Sequence, residues 1–184
     1  VRTSQLCLIL AIAGVPAVAS AEDVTIKIRA ISDAGIGAEI GTIRALDTKD
    51  GLRFVPRLKG LSPGEHGLHV HENPRCGNKA ADGKTGAGLA AGGHFDPNKT
   101  GKHEGPKGAG HKGDLPALAV EPNGEARKSL LAPRLKVADL WGRAIVVHAG
   151  GDNYADSPQA LGGGGARVAC GAIIKARQKP AAKA

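Results

Sequence analysis

Between residues 23 and 31 apolar and polar side chains alternate, with Val24, Ile26 and Ile28 on one face. That two-residue period is the signature of a half-buried strand. Two further runs follow at 37–46, with Ile40 and Ile43, and at 52–58, with Phe54 and Leu58. The Asp50-Gly51 pair between them reads as a hairpin turn. A Ser62-Pro63-Gly64 turn leads into a run at 67–72. Runs at 115–120 and 126–131 are joined by Pro122-Asn123-Gly124, and the last two occupy 144–149 and 167–175. The pattern predicts eight short strands, no long helix and two long connections, 72–114 and 150–165. Such a chain is all-β, a sandwich or flattened barrel. Only two Phe, one Trp and one Tyr are present, so the core is expected to be aliphatic.

Residues 1–21 do not belong to that pattern. Arg2 is followed by an apolar run over 7–18 and by Ala19-Ser20-Ala21. A short positive start, an apolar stretch too short to span a membrane and a small-residue site are the marks of a cleaved signal peptide. The expected mature chain begins at Glu22, is exported to the periplasm and makes one domain over 22–175, without integral membrane association. Export leaves two cysteines, Cys76 and Cys170, and an even pair in an oxidising compartment suggests one disulfide.

Charge changes the picture little. The formal net charge is +8, and Arg2 is the only charged residue of the leader, so the mature chain carries +7. Nucleic acid is not an expected partner, because aromatic residues for stacking are scarce and the basic residues are scattered. Positive charge also suits a small anion. The basic residues at 176–184 read as a disordered, solvated tail.

The chemistry is concentrated between His94 and Asp114. This stretch holds His94, His103, His111 and Asp114 among Gly, Lys and Pro, and its Gly and Pro break both helix and strand. A long irregular loop in a compact domain is usually functional. Three imidazoles and a carboxylate match one tetrahedral zinc ion. His69 and His71 lie two apart in a strand-like run, so both rings fall on one face. His66 is at an odd offset and reads as structural. His148 ends the apolar run Ile145-Val146-Val147. Together His69, His71, His94, His103, His111, His148 and Asp114 give seven candidate ligands. Two four-coordinate sites need eight bonds, which seven residues supply if one imidazole bridges through both nitrogens. An all-imidazole set suits copper and a His/Asp set suits zinc. Spacing does not say which ring bridges.

The motifs Gly67-Leu-His-Val-His-Glu72, Gly93-His-Phe-Asp-Pro97, Gly113-Asp-Leu-Pro116, Val146-Val-His148 and Gly164-Gly-Ala-Arg-Val-Ala-Cys-Gly171 resemble the copper/zinc superoxide dismutase family, in its exported bacterial branch. The resemblance covers essentially the whole mature chain. It implies an eight-stranded Greek-key β-barrel and a Cys76–Cys170 disulfide. Copper, cycling between Cu(II) and Cu(I), would be held by His69, His71, His94 and His148. Zinc(II) would be held by His94, His103, His111 and Asp114, with His94 as the bridge. Arg167 would stand beside the copper and anchor the anionic substrate, superoxide. Asp152, with Asp156 as a nearby competitor, would join a copper histidine to a zinc histidine from behind. The implied activity is dismutation of superoxide to dioxygen and hydrogen peroxide, by a monomer or homodimer. A copper store on the same fold is the main rival, but it is expected to lack a copper ligand or the arginine, and this chain has both.

Overall fold

The computed structural model describes residues 22–175 of the 184. The expected leader and the tail at 176–184 lie outside the described residues. Nine strands form: β1 (Asp23–Ser32), β2 (Gly35–Thr48), β3 (Gly51–Leu58), β4 (Gly64–His66), β5 (Leu68–His71), β6 (Leu118–Val120), β7 (Leu130–Ala132), β8 (Arg143–His148) and β9 (Arg167–Ile173). Helix among the described residues is limited to the 3₁₀ turns Leu89–Ala91, Val137–Leu140 and Ala160–Gly163.

Seven strands make one antiparallel sheet in the order β5-β8-β9-β1-β2-β3-β7, and β4 pairs with β6. The large sheet curls into a half-barrel. The neighbours β5–β8 and β9–β1 are distant along the chain, the crossovers a Greek key requires. The concave side is filled by Ile26, Ile28, Ile43, Phe54, Leu68, Leu118, Leu140 and Ile145, all essentially inaccessible. The core is aliphatic apart from Phe54 and Phe95, and Trp141 packs at its edge.

The strand count exceeds the expected eight by one. The extra strand is β4, which lies just before Gly67, where the expected run begins. Before it, Glu65 and His66 pair with Ala119 and Leu118; after it, His69 and His71 pair with Val146 and Ala144. Gly67 N–H meanwhile donates to Gly150 O at 2.7 Å, and its carbonyl accepts from His148 N at 2.8 Å. The expected run at 126–131 also contracts. Ala126 makes an isolated bridge to Leu58, residues 127–129 are exposed, and pairing with β3 is confined to Leu130–Ala132. Cys76 and Cys170 are joined in a disulfide across 94 residues, tying the first long connection to β9.

Candidate metal centre

The centre is built on the outer edge of β5. That strand pairs with β8 on one side. Its other edge would leave backbone groups unpaired, and the first long connection supplies partners. Val70 N donates to Gly113 O at 2.9 Å, Phe95 N donates to Val70 O at 2.8 Å, and Glu72 N donates to Gly93 O at 3.1 Å. These bonds set a register in which His94 lies opposite His71 and Asp114 opposite His69. Gly113 is needed there, because a Cβ would collide with the Val70 carbonyl and the Phe95 backbone. On the other side, a bulge after Val147 shifts the pairing so that His148 faces Arg167 of β9.

All seven candidate ligands are buried. The rings of His69 and His94 stack at 3.9 Å between centroids, and His148 meets His69 edge-on at 4.9 Å. The hydrogen bonds fix which nitrogen of each ring is free. His69 Nε2 donates to Asp152 Oδ2 at 2.8 Å, and His103 Nε2 donates to Asp152 Oδ1 at 2.8 Å. His71 Nδ1 donates to Gly92 O at 3.0 Å, and His148 Nδ1 donates to Gly165 O at 3.1 Å. Carboxylate and carbonyl oxygens only accept, so each of these nitrogens carries a proton, and in the neutral rings of His69, His71 and His148 the opposite nitrogen keeps its lone pair; His103, whose Nδ1 faces the Asp114 carboxylate at 3.0 Å, holds a second proton there until a metal displaces it. His69 Nδ1, His94 Nε2, His103 Nδ1 and His111 Nδ1 are buried with no hydrogen-bond partner. The freed Nε2 atoms of His71 and His148 face each other at 3.4 Å. Beside them, Asp114 Oδ1 lies 3.0 Å from His94 Nδ1, 3.0 Å from His103 Nδ1 and 3.4 Å from His111 Nδ1.

Buried imidazole nitrogens without partners are costly unless a cation takes their lone pairs. The donor set therefore fits metal ions. His69, His71, His94 and His148 bring ligand atoms within 4.8 Å of one another, and so do His69, His94, His103 and Asp114. The second group has His69 where the expected zinc set has His111. His69 enters through its stack on His94, and it has only Nδ1 free. His111 stands slightly farther from the carboxylate, with its own nitrogen free.

Protonation follows burial. Desolvation lowers His69 to about 3 and His148 to about 4, and pushes His71 and His94 down as well. Burial acts the same way on His103, but the Asp114 and Asp152 carboxylates overcome it and raise that ring to about 9. Burial pulls both carboxylates up, but His103 and His94 hold Asp114, and His103 and His69 hold Asp152, well below the usual range.

Asp152, not Asp156, takes both ring protons; Asp156 Oδ2 instead accepts from the His103 backbone at 2.8 Å. His66 Nδ1 donates to His148 O at 2.6 Å, and its Nε2 is enclosed by Ser62, 3.3 Å from the hydroxyl and 2.8 Å from the carbonyl, so neither nitrogen is turned to the metal centre. Arg167 Nη1 and Nη2 donate to Gly88 O and Gly92 O, each at 2.7 Å, which points the guanidinium to a cleft of about 430 Å³ also lined by Glu72, Asp82 and Lys84.

The sequence over residues 40–173 matches the family described as copper/zinc superoxide dismutase (SODC). The chain belongs to that family. A superoxide dismutase [Cu-Zn] of Escherichia coli (strain K12) is 49% identical over 156 residues, which are 84% of this chain and 90% of that protein. That of Photobacterium leiognathi is 52% identical over 84% of this chain and 88% of its own length. Among solved structures, the Cu/Zn superoxide dismutase from Brucella abortus aligns with a TM-score of 0.79 at 48% identity, covering 83% of this chain and 99% of that one. The monomeric copper, zinc enzyme from Salmonella enterica aligns at 0.73, with 48% identity, over 84% of this chain and 100% of its own. Family membership makes this chain an enzyme whose cofactors are copper and zinc. Among the described residues, no helix is long and apolar enough to cross a membrane.

Proposed function

We propose that the chain dismutes superoxide at a two-metal site with copper on His69 Nδ1, His71 Nε2, His94 Nε2 and His148 Nε2, and zinc on His94 Nδ1, His103 Nδ1, His111 Nδ1 and Asp114 Oδ1. One observation carries this assignment. In His69, His71, His103 and His148 one nitrogen is anchored to an oxygen acceptor and the other is turned toward the centre. His94 alone stands between the two groups with a nitrogen toward each. Bound there, copper supplies a one-electron couple that oxidises one superoxide to dioxygen and reduces the next to hydrogen peroxide, while redox-inert zinc fixes its ligands.

The residues do the rest. Arg167 keeps its charge at the working pH and offers a planar fork to the anion. Its two carbonyl bonds, to Gly88 and Gly92, stop it from swinging away from the cleft. Lys84 on the cleft wall is paired with Asp82 at 3.0 Å, so Arg167 is the charge left to attract the anion, an effect that salt weakens. His94 Nε2, the atom offered to copper, would hold a proton only while it is released from the metal. Asp152 keeps His69 and His103 in their tautomers and ties the two halves of the site together. Residues 1–21 act as a cleaved export signal that sends the enzyme to the periplasm, where it works as a monomer or homodimer.

The test is superoxide loss by the chain loaded with both metals, measured beside Arg167→Ala. The wild type should be catalytic. The variant should be at least tenfold slower at unchanged copper content. Background loss with both metals bound overturns the function; copper loss in the variant overturns the placement of Arg167.

A further inference from the structure

The loop that carries His103 and His111 is gripped by an arginine that lies outside it. Arg134 follows β7 and is half-buried. Its Nε donates to Pro106 O at 3.3 Å, Nη1 to Gly110 O at 3.0 Å, and Nη2 to Gly105 O at 3.2 Å and to the carbonyl of His111 itself. One planar group thus holds four carbonyls of a single turn. Among the described residues no carboxylate lies within ion-pair distance of it, so these carbonyl dipoles are what balance its charge. The turn is shaped to allow this. His111 N closes it by donating to Lys102 O at 2.8 Å. Gly105 has φ of 68°, and a Cβ there would press on Tyr154; a Cβ at Gly110 would strike the Lys102 carbonyl. Glycine-rich backbone of this kind does not hold one conformation by itself.

We propose that Arg134 is a positioning residue for zinc: it holds the 105–111 turn so that His111 Nδ1 points at Asp114 before any metal enters. This rests on the reading of His111 as a zinc ligand. It also assigns the order of the loop to the chain rather than to the ion alone. Residues that orient ligands typically change metal affinity by roughly 10–100-fold when lost. Lysine is an informative replacement, because it keeps the charge but lacks the fork that spans four acceptors.

The experiment compares full-length metal-free wild type, Arg134→Lys, Arg134→Ala and His111→Ala. Amide hydrogen exchange is followed across the chain. Zinc and copper affinities are measured by competition with chelators, and the visible spectrum of cobalt(II) at the zinc site reports its coordination geometry. Wild type should protect the amide of His111 without metal. Arg134→Ala should lose that protection only in 103–111, bind zinc at least tenfold more weakly, alter the cobalt spectrum and keep copper affinity within about twofold. Arg134→Lys should recover only part of the difference. Unchanged loop exchange and zinc affinity in Arg134→Ala overturns the proposal. So does a uniform loss of protection with equal weakening of both metals, which would mark a purely structural arginine. Full recovery in Arg134→Lys overturns the role of the fork. If His111→Ala binds zinc as wild type does, the ligand assignment fails, and the exchange result still judges the grip of Arg134 on the loop.

Discussion

Asp152 links the two groups of candidate ligands from behind. Its two oxygens accept from His69 Nε2 and His103 Nε2, each at 2.8 Å. An amide in its place offers only one acceptor to two donors. Asp152→Asn is therefore expected to weaken zinc binding by roughly 10–100-fold, and unchanged affinities for both metals in chelator competition would contradict this. His103 makes a separate, pH-dependent prediction. Its ring is raised to about 9 in the metal-free chain, so its proton is present at neutral pH and lost as pH rises through about 9. Zinc must displace that proton. Calorimetry in buffers of different ionisation enthalpy should record about one more proton released at pH 7 than at pH 10 from this ring, and equal release at the two would contradict it. His69 and His148 work in the opposite sense. Their rings fall to about 3 and about 4 in the fold, so the stability they lend is present above their ordinary range near pH 6.5 and is lost as pH falls toward those values. Acid should loosen the metal-free chain. The seven candidate donors are legible in the sequence as six histidines and an aspartate with no other evident task, but their division into two sites is implied there only by the family resemblance. Arg134 is not legible. An arginine after a proline has no spacing signal, and its acceptors are backbone carbonyls that any residue could supply.

At the scale of elements, the site depends on an edge strand completed by loop backbone. β5 is only Leu68–His71, yet it positions ligands from three segments because Gly93, Phe95 and Gly113 pair with its free edge. The period-2 placement of His69 and His71 is visible from the residues alone. The pairing of the loop with β5 is not, because 93–95 and 113–114 have neither alternation nor β-branched residues to announce it. β4 is hidden for a related reason: its three residues sit beside a turn, and their partner β6 lies some fifty residues on. The disulfide belongs to this scale too. It anchors the connection that supplies Gly88 and Gly92, the two carbonyls that hold Arg167. Reducing it should cost roughly 2–5 kcal/mol of stability and slow superoxide loss at constant copper content. An unchanged denaturation midpoint after reduction would contradict the first expectation, and an unchanged rate the second.

For the molecule as a whole, the half-barrel and the loops have distinct tasks. β5 and β8 present His69, His71 and His148 from rigid, buried backbone. The first long connection brings His94, His103, His111 and Asp114 to the same edge, and the second brings Asp152 behind them. The alternation along the chain is enough to read the all-β class, since hydrophobic period and turn residues set it locally. The closeness of the two metal groups arises from long-range pairing and comes to light only in the fold. What joins these parts is a single ring, His94, with one nitrogen toward Asp114 and the other buried and free. The most direct measurement of that claim places copper at the all-histidine set and paramagnetic cobalt(II) at the zinc set, then records the copper electron paramagnetic resonance signal. A shared imidazolate couples the two spins, so the signal should be lost when cobalt binds and should return when zinc replaces it. A full-intensity copper signal beside bound cobalt would contradict the bridge.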